Sequence, residues 1–230
     1  MAMIPVSRSR GIAMLSRNHV VVILLAFGLV FPIRSYADDI DDFISTWTGQ
    51  ALIRQRLIDI DAPLANSNII GTHNSFNSSV YGGAFSYPDP NQVDSIFNQL
   101  RMGSRNIELD VHWTPKQEGP FSFPNRLLLC HGTSGHLGCS TSDRYLAEGL
   151  DEIAAWLNSP ASDNQVLLLH IEDHMEGENG EAFNQINARF ENYVYTSGGC
   201  HAIPSTLTKA NVLDIGKKVV VWTDGGCSGD

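Results

Sequence analysis

The chain has 230 residues, 43% of them hydrophobic and 17% charged; 15 Lys and Arg face 25 Asp and Glu, for a formal net charge of −10. Such an acidic balance repels phosphate backbones, which argues against nucleic acid as a partner and against charge-driven docking on anionic lipid. The length suits one domain with a sizeable core.

The first segment carries Arg8, Arg10 and Arg17 ahead of an apolar run from Val20 to Phe31, then Ser35-Tyr36-Ala37. This is the layout of a secretory signal peptide cleaved after Ala37. The run is well short of the ~20 residues a spanning helix needs, so no transmembrane segment is expected in the mature chain. The product is expected outside the cytoplasm, secreted or periplasmic. Residues 1–37 hold four arginines and no acid, so their removal makes the remainder, 38–230, still more acidic.

From Asp38 to about Leu57, Ile40, Phe43, Ile44, Trp47, Ala51 and Leu52 recur at helical spacing and predict one amphipathic helix. Asn68 to Gly71 reads as a short strand that ends in Thr72-His73-Asn74-Ser75. Val93, Ile96, Phe97 and Leu100 give the next helix its apolar stripe, stopped by Gly103. Arg105–Trp113, Leu127–Cys130, Val166–Ile171 and Lys218–Trp222 are the remaining predicted strands. Between them, Leu146, Leu150, Ile153 and Leu157 mark a helix closed by Pro160, and Phe183, Ile186 and Phe190 mark another. Strands alternating with helices predict an α/β fold on a parallel sheet, open or closed into a barrel, whose site gathers at the C-terminal strand ends.

Four cysteines, Cys130, Cys139, Cys200 and Cys227, lack the paired two-residue spacings of a structural zinc site. Four cysteines allow three pairings; proximity in sequence favours Cys130–Cys139 and Cys200–Cys227 in an oxidising compartment.

Glu108 and Asp110 are two apart in a strand and share a face, where two confined carboxylates need a cation or a shared proton. Asn74 and Glu172, at the ends of other strands, bring two more hard oxygen donors, a set suited to calcium and less to magnesium. His73 and His131 each follow an apolar strand, and a pair of imidazoles across a bound anion can serve as acid and base. Tyr81, Phe85 and Tyr87, in the loop after the first strand, either touch lipid at the mouth of the site or pack locally.

Taken in order, IIGTHNSF (69–76), LRMGSRNIELDVHW (100–113), LLLCHGTSG (127–135) and VLLLHIEDH (166–174) resemble the strand motifs of the X region of phosphatidylinositol-specific phospholipase C. The resemblance covers Ile69 to about Trp222. It implies a TIM-type barrel of the PLC-like phosphodiesterase kind, in which the inositol 2-hydroxyl attacks the neighbouring phosphodiester of a phospholipid at a membrane surface. His73 and His131 match that family's catalytic histidines, and Asn74, Glu108, Asp110 and Glu172 match the calcium ligands of its metal-dependent branch. Glu108, Glu172 or a histidine would then take the hydroxyl proton. The metal-independent branch carries an arginine where this chain has His112, so the calcium-dependent branch is the one implied.

A closed barrel of eight βα units needs ~250 residues, with ~200 near the lower limit. Five placed strands leave open a fragment, an incomplete barrel ending after about the fifth strand, or short strands the pattern does not reveal. A glycerophosphodiester phosphodiesterase or a sphingomyelin-cleaving lyase shares a similar motif at Glu108-Leu109-Asp110. The first of these generally has His-Arg-Gly in place of His73-Asn74-Ser75. A secreted barrel that binds calcium or headgroups without turnover is the alternative of another class.

Overall fold

Two paired strands, one alternating apolar with polar residues and one opening on a run of leucines, organise the molecule, a computed structural model of which describes residues 36–82, 89–197 and 203–225. These residues belong to the compact unit 35–230. In chain order the elements are α1 (Tyr36–Ser45), α2 (Trp47–Arg54), β1 (Gly71–Thr72), α3 (Ile96–Met102), β2 (Asn106–Pro115), β3 (Asn125–Leu129), β4 (Arg144–Tyr145), α4 (Leu146–Leu157), β5 (Leu167–His174), α5 (Asn179–Phe190), α6 (Lys209–Asp214) and β6 (Val219–Thr223).

The six strands form one mixed sheet in the order β4-β3-β2-β5-β6, with β1 on the start of β2. It is open, so the fold among the described residues is α/β without a closed barrel. β1, β2, β5 and β6 are parallel. β3, expected as another parallel strand, instead runs antiparallel to β2, and the unforeseen β4 runs antiparallel to β3. The reason is length: residues 116–124 are too few for a parallel crossover, which takes about a dozen or more residues. The predicted first strand also shrinks to the two residues Gly71–Thr72.

Ile107, Leu109 and Val111 of β2 and Leu167, Leu169 and Ile171 of β5 point to one face, where they are buried with Ile96, Leu100, Leu150, Ile153, Trp156, Ile186 and Phe190 from helices α3, α4 and α5. On the opposite face, near the strands' N-terminal ends, Val166, Leu207, Val212 and Val220 form a smaller apolar cluster with Leu168. The sheet is thus covered on both faces at its base and carries polar side chains above the smaller cluster.

The single helix expected over 38–57 is broken after Ser45, because Thr46 takes an extended backbone and its Oγ1 accepts the Gly49 N–H at 3.1 Å, capping α2. Trp47, placed in the buried stripe by its spacing, is 85% exposed as a result. Val93, also assigned to a buried stripe, is exposed outside α3, which starts at Ile96 behind the Ser95 cap. Gly103 ends α3 as expected: its φ of 114° is left-handed, and a Cβ there would sit 2.8 Å from the Leu52 Cβ.

Leu150 lies at the centre of the larger core. Leu150→Ala should cost about 2–5 kcal/mol, read as a lower urea midpoint with an unchanged slope.

Candidate active site

Parallel pairing in register stacks chemistry on the polar face of the sheet. Glu108 faces His170, Asp110 faces Glu172 and His112 faces His174 across β2 and β5, and His170 in turn faces Trp222 of β6. Residues two apart on a strand share a face, so these pairs form three successive polar rungs.

β1 delivers His73 and Asn74 to the first rung. Its Thr72 pairs with Ile107, and the turn that follows is tied to β2 by Ser75 N–H to the Glu108 carbonyl at 3.0 Å and Glu108 N–H to Ser75 Oγ at 3.0 Å. Asn74 sits in the turn with φ of 46°, a left-handed conformation that asparagine tolerates better than most residues. Its N–H donates to Glu108 Oε2 at 3.0 Å, and His73 Nε2 lies 3.7 Å from the same oxygen. The other carboxylate oxygen, Oε1, lies 3.2 Å from His170 Nδ1. The His170 ring stacks on Trp222 at 3.7 Å between centroids and 3° between planes, and its buried Nε2 has no hydrogen-bond partner among the described residues. Glu108 therefore lies between two imidazoles, of which His170 is mostly buried and the His73 side chain is 70% exposed.

The second rung is acidic. Asp110 is almost completely buried, and its carboxyl is pushed up from 3.8 to about 8, first by burial and then by the charges of Glu172, Glu108 and Asp224. Turned with its amide nitrogen towards Asp110, Asn74 donates to both carboxylate oxygens, at 2.9 and 3.0 Å. Turned the other way, its oxygen would face the carboxyl oxygens, an arrangement relieved by a proton on Asp110 or by a cation. In chemical type Asn74, Glu108, Asp110 and Glu172 are the hard oxygen donors that calcium or magnesium takes. The carboxylates of Glu108, Asp110 and Glu172 are not all within 4.8 Å of one another: among the described residues the His, Cys, Asp or Glu triplet that close is His112, Cys130 and Cys139. Its two sulfurs are bonded to each other and cannot act as thiolate ligands. Glu172 is drawn aside by His174, whose Nε2 lies 2.9 Å from its Oε1.

The third rung is imidazole. His112 is fully buried, its Nδ1 2.9 Å from His136 Nδ1 and its ring 4.3 Å from that of His174, and His136 Nε2 lies 2.8 Å from Glu176 Oε1. Burial, then His174, His136 and His131, hold His112 down at about 3, so it is a neutral ring and no stand-in for a fixed arginine charge.

His131 opens the loop after β3. Cys130 N–H donates to the Asp110 carbonyl at 3.2 Å, which ties the start of that loop to β2, and His131, whose charge acts on His112, is exposed. The disulfide Cys130–Cys139, with Cα atoms 5.3 Å apart, closes that loop as proximity in sequence predicts. Cys200 and Cys227 lie outside the described residues, as do Phe85 and Tyr87. Tyr81 packs locally: its hydroxyl donates to Glu152 Oε2 at 2.8 Å and accepts the Ile96 N–H, under the Arg144 guanidinium.

Sequence reasoning brought His73, Asn74, Glu108, Asp110, Glu172 and His131 to this end of the sheet and missed His170, His174, His136 and Trp222. The signal for two of them is the period of two in His170-Ile171-Glu172-Asp173-His174, which puts both histidines on the face of Glu172.

A family model described as the Rv2075c PI-PLC-like domain matches residues 34–229. The protein Rv2075c of Mycobacterium tuberculosis (strain ATCC 25618 / H37Rv) is 33% identical over 166 residues, 71% of this chain and 33% of that one. A PI-PLC X domain-containing protein of Arabidopsis thaliana, At5g67130, is 28% identical over 148 residues, 63% of this chain and 32% of the relative. This chain thus spans about a third of the length of the curated relatives it matches. Among solved structures, a mutant of the phosphatidylinositol-specific phospholipase C from Staphylococcus aureus superposes with a TM-score of 0.51 at 18% identity, covering 78% of this chain and 56% of that one. The fold is therefore an α/β fold of the kind seen in those phospholipases. The chain belongs to the Rv2075c PI-PLC-like domain family.

Folded Asp110 keeps a proton between pH 3.8 and about 8 that the unfolded chain releases, so in chelator the stability should fall as pH rises through that window. Asp110→Asn should flatten this part of a plot of denaturation midpoint against pH. An equal slope in both proteins would remove the burial account of Asp110.

Proposed function

We propose that the chain is an exported, calcium-assisted phosphodiesterase that cleaves phosphatidylinositol-type lipids to diacylglycerol and a cyclic inositol phosphate. The observation that carries this reading is a buried acidic rung, short of positive charge, directly beside an exposed histidine held by Glu108. The open sheet is read as one wall of the TIM-type barrel that the sequence resemblance implies. Export is supported by the leader-like residues 1–37 and the Cys130–Cys139 disulfide. Among the described residues no helix is long and apolar enough to cross a membrane.

Asn74, Asp110 and Glu172 would hold the cation, with Glu108 at its edge. When bound, the ion would lower the pKa of the inositol 2-hydroxyl and offset charge on the phosphoryl oxygens. The chain's own groups do the rest. Glu172, partly exposed and bonded to His174 through one oxygen, has a second oxygen to accept the 2-hydroxyl proton as that oxygen attacks phosphorus. Glu108, both of whose oxygens are engaged, orients His73 to hydrogen-bond the phosphoryl group as negative charge builds there. His131 supplies the proton that the departing glycerol oxygen takes up as the phosphorus–oxygen bond breaks. His170 sets the angle of Glu108, and Trp222 sets the plane of His170.

Phosphorus NMR of the full chain on phosphatidylinositol vesicles, with calcium and with chelator, tests the reading. A cyclic phosphate signal that needs calcium and disappears in His73→Ala is expected. Release of glycerol phosphate from glycerophosphodiesters, or calcium binding with no turnover of any diester, would replace the reading with one of the alternatives on the same fold. In the active protein, His170→Ala should lower turnover roughly 10–100-fold, the range typical for groups that orient a catalytic shell. His170→Asn, which can keep a donor at the Nδ1 position, should recover most of it.

A further inference from the structure

The most exposed large apolar side chain on the described surface is Phe121, at 98%, and Phe123 two residues on is 49% exposed. Single apolar residues on a surface are ordinary, but these two stand on a scaffold built to hold them out. β2 runs five residues past Asp110, ~16 Å at the usual rise of a strand, before it turns back into β3. The turn is hydrogen-bonded throughout: Lys116 N–H to the Pro124 carbonyl at 2.9 Å, Glu118 N–H to Ser122 at 3.1 Å and Ser122 N–H to Gly119 at 3.5 Å. Arg126 grips Glu118 through two bonds of 2.8 and 3.1 Å, Gln117 N–H reaches the Thr141 carbonyl at 3.0 Å, and Tyr145 donates to Glu118 at 3.2 Å. Lys116 is fixed over the Tyr145 ring and on the Asp143 carbonyl. A rigid hairpin, with Pro120 and Pro124 beside the two phenylalanines, thus rises beyond the site on the side of the sheet's C-terminal ends.

We propose that this hairpin, with Phe121 at its tip, is the element that seats the protein on a lipid bilayer of neutral, zwitterionic character. The inference rests on the lipid-cleaving reading in one respect, that the substrate lies in such a surface. Charge selects the occupant. A chain of net charge −10 is repelled by an anionic bilayer, whereas the stretch 116–126 carries Lys116 and Arg126 against Glu118 alone. Both cations sit at the hairpin base, below the apolar tip. That profile places aromatic rings in the headgroup and acyl boundary and cations at the level of the phosphates. The bracing means that little conformational entropy is lost on insertion.

The test uses the full chain, Phe121→Ser/Phe123→Ser, Phe121→Trp, and phosphatidylcholine vesicles with a minority of phosphatidylinositol. The wild-type chain should sediment with the vesicles, nearly independently of salt. The double variant should partition at least about tenfold more weakly, as expected for loss of a buried aromatic side chain. Fluorescence of the new tryptophan should be quenched by phosphatidylcholine brominated on its acyl chains. Hydrolysis of a dispersed short-chain phosphatidylinositol should be the same in wild type and double variant. Equal partition of the two proteins, or no quenching, overturns the proposal. So does a wild-type dimer in solution that the double variant dissolves, which would make a second copy the occupant. Hairpin-dependent vesicle binding without any lipid hydrolysis supports the docking surface and sinks the lipid-cleaving reading instead.

Discussion

The pairing of β2 with β5 in parallel register is the constraint on which the rest of the structure depends. It sets Glu108 against His170, Asp110 against Glu172 and His112 against His174, while the intervening Ile107, Leu109 and Val111 enter the core with Leu167, Leu169 and Ile171. A slip of one residue in either strand would turn that strand's carboxylates and histidines into the core and its leucines to the site. The hydrophobic core thus enforces the alignment of the chemistry.

Packing polar groups so closely has a cost, and the molecule distributes it unevenly. Glu108 is relieved by a backbone N–H and two imidazoles, and Glu172 by His174. Asp110, the most buried of the three, has Asn74 and otherwise faces other acids, which is why its proton is held so tightly. The imidazole rung beyond it is neutral at its centre, so positive charge does not reach Asp110 from that side.

The sequence shows the apolar halves of β2 and β5, the capping of α3 by Gly103 and the two acids of Glu108-Leu109-Asp110, because each follows from a local period or a backbone requirement. It hides what depends on partners far along the chain. The antiparallel turn of β3 follows from the brevity of 116–124, and the break after Ser45 from the side chain of Thr46, both of which are overridden when apolar spacing alone is counted. His170 reads as one more residue in an apolar run until β6 brings Trp222 against its ring. The Cys130–Cys139 pair is legible because its members lie only nine positions apart, whereas the site's depth is legible nowhere in the composition.

Asn74 joins two demands that most proteins keep on separate residues. Its positive φ shapes the turn that presents His73, and its amide nitrogen donates to both carboxyl oxygens of Asp110. Glycine could inherit the shape but not the donor, aspartate the shape but with one more negative charge in an already crowded rung, and a β-branched residue neither. The range of side chains that this position can accept is therefore narrower than its place in a loop suggests, since backbone shape and a neutral donor must come from one residue.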